Sequence, residues 1–282
     1  MAGARDRISE VFARCAKERR AAFIPYLTAG DPDLETTPRL VEALVAAGAD
    51  IVELGVPFSD PIADGPVNQR AAYRALASGT TVSAVLQLVD RCRERCFGVP
   101  IVLFTYFNPI HARGVTAFAE QAAESGVDGV LCVDLPPEEA EIELAPALRA
   151  SGVDPIFLIA PTSTPKRIRR AGKSSRGFVY YVSRTGTTGE RAAVSETLRR
   201  EVRAVKRRVG LPVAVGFGIS TPEQVAEVAA IADGVVVGSA LVRVVEEAVE
   251  SGSLAELPEA LSQRAAELAA PLQRRRRRFG WG

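Results

Sequence analysis

The sequence predicts an α/β protein, a (β/α)8 TIM barrel with an extra helix before its first strand and extra helices after its last. Three observations carry that expectation. Eight short apolar runs, Ala22–Leu27, Ile51–Leu54, Ile101–Thr105, Gly129–Val133, Pro155–Ile159, Phe178–Val182, Val213–Val215 and Gly234–Val237, alternate with helical patterns. Strands apolar on both faces belong in a parallel sheet wrapped by helices. A small-Gly-x-Asp signature recurs at Ala47-Gly48-Ala49-Asp50, Ser125-Gly126-Val127-Asp128 and Ser151-Gly152-Val153-Asp154. Each glycine suits the left-handed position past a helix end, and each Asp precedes a strand. Finally, the chain has 282 residues, 47% of them hydrophobic, and a closed barrel takes about 250 residues as one unit. An open doubly wound sheet is the alternative, disfavoured because no G-x-G-x-x-G follows the first strand.

In chain order, Ile8, Val11, Phe12 and Cys15 share one face of a helix placed to cover the barrel floor. Leu40, Val41, Leu44 and Val45 form the face that follows the first strand. Val82, Val85, Leu86 and Val89, continued by Cys92 and Cys96, form a core-facing stripe before the third strand. Val115, Phe118, Ala119 and Ala122 precede the fourth strand, and Leu198, Val202, Val205 and Val209 precede the seventh. Thr221-Pro222-Glu223-Gln224 is a capping box with Thr at the N-cap and Pro first in the helix. Two helical patterns, Leu241–Val249 and Leu254–Leu268, follow the last strand. One barrel domain over residues 1–270 results. The remaining tail, 271–282, carries the run Arg274 to Arg278 and reads as a solvated, disordered end.

Formal net charge is +1, so no global field argues for nucleic acid or a membrane as partner. No stretch approaches the roughly 18 apolar residues of a spanning helix, and the charged N-terminus lacks the apolar centre of a signal peptide. A cytoplasmic enzyme is expected. The four cysteines form no C-x-x-C pair, and the single histidine, His111, follows Asn-Pro-Ile on an expected loop. A bound metal is therefore not expected.

Barrel enzymes work at the C-terminal ends of their strands, which turns the strand list into a candidate list. At the second strand, Ile51-Val52 leads directly into Glu53, and Asp64 follows on the next connection. A carboxylate at a strand end can be a salt-bridge partner, and Asp64 in Asp-Gly-Pro can be a turn residue. Burial of Glu53 would instead raise its pKa and suit it to proton transfer. Tyr26, Phe104, Tyr106, Tyr180 and Phe217 lie where they could line a pocket for a flat aromatic ligand. Gly189, Gly216, Gly218, Gly238 and Ser239 fall after the sixth, seventh and eighth strands, where many barrels grip a phosphate. Any one of these glycines taken alone is explained by a turn.

At these residues the chain resembles the tryptophan synthase α subunit family. The stretch Glu53-Leu-Gly-Val-Pro-Phe-Ser-Asp-Pro-Ile-Ala-Asp-Gly-Pro66 is that family's signature. Phe23-Ile-Pro-Tyr-Leu-Thr-Ala-Gly-Asp-Pro32, Tyr106-Phe-Asn-Pro109, Asp134-Leu-Pro136, Ser183-Arg-Thr-Gly-Thr-Thr-Gly189, Gly216-Phe-Gly218 and Gly238-Ser239 match in order, and the resemblance runs from about Arg5 to about Ala270. It implies a (β/α)8 barrel lyase that splits indole-3-glycerol phosphate into indole and glyceraldehyde 3-phosphate, with no cofactor or metal of its own. It implies a β-subunit partner, which condenses indole with serine on pyridoxal phosphate, in an assembly of two α and two β chains. Glu53 and Asp64 become the catalytic pair. Tyr26, Phe104, Tyr106, Leu131 and Tyr180 surround the indole, with Phe217 also in the substrate site. Gly189, Gly218, Gly238 and Ser239 hold the phosphate. The loop with Asp60 and Asp64, and that from Arg184 to about Val194, become mobile covers, with Thr188 meeting Asp64 on closure. Two other functions remain open: an activator of the β chain with low turnover of its own, and an isomerase on another phosphate-binding barrel.

Overall fold

The computed structural model of the chain describes residues 6–95, 98–182, 196–216 and 218–273. Among them, nine strand segments and thirteen helices form one nearly closed parallel barrel. β1 (Ala22–Thr28) pairs on one side with β2 (Val52–Gly55), followed by β3 (Ile101–Thr105), β4 (Gly129–Cys132) and β5 (Asp154–Ile156). On its other side lie β9 (Gly234–Val237), β8 (Val213–Gly216), β7 (Val179–Val182) and β6 (Leu158–Ile159). β5 and β6 are the two halves of the expected fifth strand, parted at Phe157. The first half pairs with β4 and the second with β7, so one stave joins the two edges. Phe157 stays bonded at the break: its N–H donates to Ser175 Oγ at 3.2 Å and its carbonyl accepts from the Tyr180 N–H at 3.1 Å.

Strand alternation sorts the core into two clusters. One fills the barrel interior: Ile24, Tyr26, Ile51, Val102, Phe104, Leu131, Ile156, Tyr180, Ala214 and Val236. The other lies between the strands and the surrounding helices and includes Phe23, Leu27, Leu40, Leu44, Leu103 and Tyr181. Glu53 has the parity of Ile51 and so belongs inside. Its register partners are Tyr26 on β1 and Val102 on β3.

The expected helices form. They include α1 (Arg7–Lys17), α2 (Thr37–Ala46), α4 (Val82–Arg95), α6 (Val115–Glu124) and α10 (Glu196–Val209), and α11 (Pro222–Ala229) starts on the predicted capping box. Three features differ from expectation. His111 lies not on a loop but on α5 (Phe107–Arg113), where Pro109 falls in the first turn and is tolerated. Asp64 is followed at once by a twelve-residue helix, α3 (Pro66–Ala77). The last helix, α13, runs from Leu257 to Gln273, with Pro258 in its first turn.

Two of the recurring Asp residues, Asp50 and Asp128, have a structural task at the floor, which Asp233 outside the signature shares. Asp50 accepts from the Phe23 N–H at 2.9 Å, Asp128 from the Ile101 N–H at 2.8 Å and Asp233 from the Val213 N–H at 2.9 Å. Each caps the start of a neighbouring strand. α1 closes this end, its Arg7 reaching Asp128 at 2.7 Å and its Arg14 reaching Asp50 at 3.2 Å. Arg20 adds a fork to Asp50, at 2.6 and 2.8 Å. Burial pushes the Asp50 carboxyl up, but Arg20 and the Phe23 N–H outweigh it and hold it below the usual range. Replacement of one partner of such a buried pair costs about 3–5 kcal/mol. Asp50→Ala is therefore expected to lower stability by ~3 kcal/mol in denaturant unfolding, and Arg14→Ala, whose side chain is mostly exposed, by far less.

Candidate active site

At the C-terminal end of β2, Glu53 is 1% exposed and its Oε1 has no hydrogen-bond partner. Burial, helped by the nearby negative charge of Asp64, pushes its carboxyl from 4.5 up to about 8. At neutral pH the group is a carboxylic acid with a transferable proton.

Asp64 sits in a different environment. Gly65 is the N-cap of α3, so the carboxylate lies beside the positive end of a helix, which favours its anion. Tyr106 Oη donates to Asp64 Oδ2 at 2.7 Å and accepts from the Ala63 N–H at 3.0 Å. Gln69 Nε2 donates to the Asp64 carbonyl at 2.9 Å, pinning the turn. Burial raises the Asp64 carboxyl, while hydrogen bonds from Tyr106 and Asn68 oppose the rise. Two acids eleven positions apart in sequence thus meet at one mouth, both raised by burial, with hydrogen bonds opposing the rise at Asp64 alone.

Between them lies a cavity of about 250 Å³. Glu53, Asp64, Tyr26, Phe104 and Tyr180 line one part of it, and Gly218, Gly238 and Ser239 another. The Tyr26 and Phe104 rings meet edge to face, 5.6 Å between centroids. Two strand-end glycines make room for the tyrosines: a Cβ at Gly55 would lie 2.1 Å from Tyr26 Oη, and one at Gly216 would lie 2.0 Å from Tyr180 Oη. Gly216 therefore seats a ring, whatever else it does. Gly218 has φ +77°, a backbone that favours glycine. Gly238 and Ser239 open the thirteen-residue helix α12 (Ser239–Ser251), whose N-cap makes no side-chain bond. Its first N–H groups suit an anion.

Of the other candidates, Leu131 is fully buried in the barrel wall and Tyr106 acts on Asp64. Thr188, Gly189, Phe217, the loop from 184 to 194 and the arginine run lie outside the described residues. Sequence reasoning missed Val67, Asn68 and Val236, which also line the cavity. A signal for Asn68 was present: it heads a stripe with Ala71, Ala72 and Ala75, all buried, at helical spacing. A wider hollow of about 570 Å³ opens at the barrel floor around Phe12, Arg20, Lys206 and Asp233. Its Arg20 and Lys206 are engaged with Asp50 and Asp233, and it lies at the wrong strand ends for barrel chemistry.

A closed barrel with an acid pair at its mouth defines an enzyme of the proton-transferring barrel class. Comparison with known proteins specifies it further. The sequence model of the tryptophan synthase alpha chain matches residues 12–271. The tryptophan synthase alpha chain of Geobacter sulfurreducens is 54% identical over 241 residues, 86% of this chain and 90% of that one. That of Opitutus terrae is 48% identical over 267 residues, 95% and 97% of the two chains. The crystal structure of tryptophan synthase subunit alpha from Legionella pneumophila superposes with a TM-score of 0.87 at 38% identity, over 94% of this chain and 98% of that one. Tryptophan synthase from M. tuberculosis in its open form gives 0.83 at 39%, over 95% and 98%. The chain belongs to the tryptophan synthase alpha chain family, lyases that cleave indole-3-glycerol phosphate.

The raised Glu53 pKa has a stability consequence with a definite sign. Below about pH 4.5 the group is protonated in folded and unfolded chains alike. Between there and about 8 the unfolded chain releases the proton that the folded one keeps, so stability falls as pH rises. Asp154, pushed up to about 7 chiefly by burial, titrates in the same range, so only a comparison with a variant isolates Glu53. Glu53→Gln is expected to gain a few kcal/mol relative to wild type between pH 5 and pH 9, read as unfolding free energies at the two values.

Proposed function

We propose that this chain cleaves indole-3-glycerol phosphate to indole and glyceraldehyde 3-phosphate, with Glu53 as the acid and then the base and Asp64 as the partner of the ring nitrogen. The observation that carries the proposal is Glu53, buried, unpaired at Oε1 and shifted to about 8.

Direct rupture of the bond at indole C3 would expel an unstable carbanion. Glu53 first gives its proton to C3, which makes the ring an iminium. Asp64, anionic at the α3 terminus, accepts a hydrogen bond from the ring N–H and stabilises the positive charge. Glu53, now a carboxylate, takes the proton of the hydroxyl on the adjoining carbon. The C3–carbon bond breaks, its electron pair returns to the ring to restore aromaticity, and the freed carbon becomes the aldehyde. Tyr26, Phe104 and Tyr180, with Leu131 behind them, enclose the indole, and Tyr106 positions Asp64. Gly218, Gly238 and Ser239 anchor the phosphate at the N-terminus of α12, joined in this proposal by Gly189, with Phe217 also in the substrate site and Thr188 meeting Asp64. Phosphate binding energy then holds the reacting carbon against Glu53. No metal or cofactor enters these steps.

The solved M. tuberculosis tryptophan synthase supports a β-subunit partner, to which indole would pass. An assembly of two α and two β chains, with pyridoxal phosphate on the β chains, belongs to the same proposal. So does a cytoplasmic setting, which suits the free, buried thiols of Cys15 and Cys132.

Glu53→Gln and Asp64→Asn are each expected to cut indole release by ~10²–10⁴, and near-normal release by either variant would sink the assignment. The kcat/KM of the wild type should fall as pH rises through about 8, where Glu53 loses the proton it must donate.

A further inference from the structure

Among the described residues, two buried side-chain atoms lack a hydrogen-bond partner: Glu53 Oε1 and Asn68 Oδ1. Both residues line the same cavity. Asn68 is the third residue of α3, and Asp64 lies just before the helix's N-cap, Gly65. The Asn68 side chain acts on the Asp64 carboxyl, countering the upward push of burial. A carboxylate only accepts, so the Asn68 NH2 faces it, and this fixes the carboxamide with its oxygen turned elsewhere. A buried acceptor left without a donor is rare in proteins and calls for an explanation. A donor carried by the substrate supplies one.

The substrate has few donors to offer. Its ring N–H goes to Asp64 in the mechanism above. The hydroxyl next to the ring gives its proton to Glu53. The phosphate, as dianion, donates nothing. What remains is the hydroxyl on the middle carbon of the three-carbon chain, which does not react. Asn68 is placed for that segment. It shares its face with Ala71, and Ala71 packs in one cluster with Val242 of α12 and Tyr26. Arg70 holds Glu246 of α12 at 2.6 and 2.8 Å, and Arg74 holds it at 3.1 Å. The α3 face that carries Asn68 is thereby fixed beside the helix whose first turn takes the phosphate, and the chain linking ring to phosphate passes between.

We propose that Asn68 is a substrate-contact residue whose side-chain carbonyl accepts a hydrogen bond from the middle hydroxyl of the substrate's glycerol chain while its NH2 faces Asp64. The assignment rests on the roles given to Glu53, Asp64 and the α12 terminus. It adds a residue that recognises the hydroxylated chain rather than the ring.

The test compares indole-3-glycerol phosphate with the analogue lacking only the middle hydroxyl, which keeps the reacting hydroxyl and the phosphate, on wild type and Asn68→Leu. Both substrates need Glu53 and Asp64 in the same way, so any disturbance of the acid pair lowers kcat/KM for both alike. Loss of the hydroxyl contact weakens only the first. Asn68→Leu is expected to lower kcat/KM for indole-3-glycerol phosphate about tenfold and to leave that for the analogue within about twofold. An equal fall for both substrates, or an unchanged kcat/KM for the first, overturns the proposal. Asn68→Ala, which continues the alanine stripe of α3, gives the same comparison where the leucine variant does not fold. Failure of the underlying mechanism shows separately, as indole release retained by Glu53→Gln.

Discussion

Among the described residues no cation offsets the burial of Glu53, and the organisation of the barrel mouth follows from that. Strand alternation places Ile51 and, on β2, Glu53 and Gly55 inside the barrel, among apolar neighbours. A carboxyl there either finds an ion partner or keeps its proton. The same strand region shows both outcomes. Asp50, three residues earlier at the floor, is equally buried, but Arg20 and a backbone N–H keep it an anion. The charge that acts on Glu53 is that of Asp64, and the like charge adds to the desolvation. One end of the segment serves stability and the other holds an acid ready at neutral pH.

Two helix N-termini organise the remaining charge. α3 begins beside Asp64, and α12 begins at Gly238–Ser239. Each favours an anion: the first is the protein's own carboxylate, and the second suits the substrate's phosphate. Their separation is not left to the loops. Arg74 bridges Asp31, at 2.8 and 2.9 Å, and Glu246, while Arg70 takes the other oxygen of Glu246. The turn after β1, the helix that presents Asp64 and α12 are thereby joined by one ion network. A site in which a ring, a short chain and a phosphate must be held at fixed distances gains from such a clamp.

The fold was legible because its signals are strong and local. Eight β-branched runs, helical stripes and left-handed glycines at 48, 126 and 152 all appear as expected. The break at Phe157 was not visible, because it arises from a partner change between β4 and β7 that only the closed barrel demands. Glu53 was legible from its place after an apolar run. Asp64 was legible only as a turn residue until α3 and Tyr106 gave it surroundings. α3 itself escaped because its buried stripe is alanine with one asparagine, a pattern of low hydrophobic contrast. Glycines 55 and 216 carried no sequence sign of their task, since the tyrosines they seat come from neighbouring strands.

Glu53 is a neutral acid at physiological pH because the barrel interior offers its anion no compensation among the described residues. Its titration can be followed directly by isotope-edited infrared spectroscopy or carbon NMR of labelled glutamate, with Glu53→Gln identifying the signal. A carboxyl that stays protonated at pH 7 and titrates at about 8 is the expected result. A Glu53 signal that titrates near 4.5, the value of an exposed glutamate, would contradict the account.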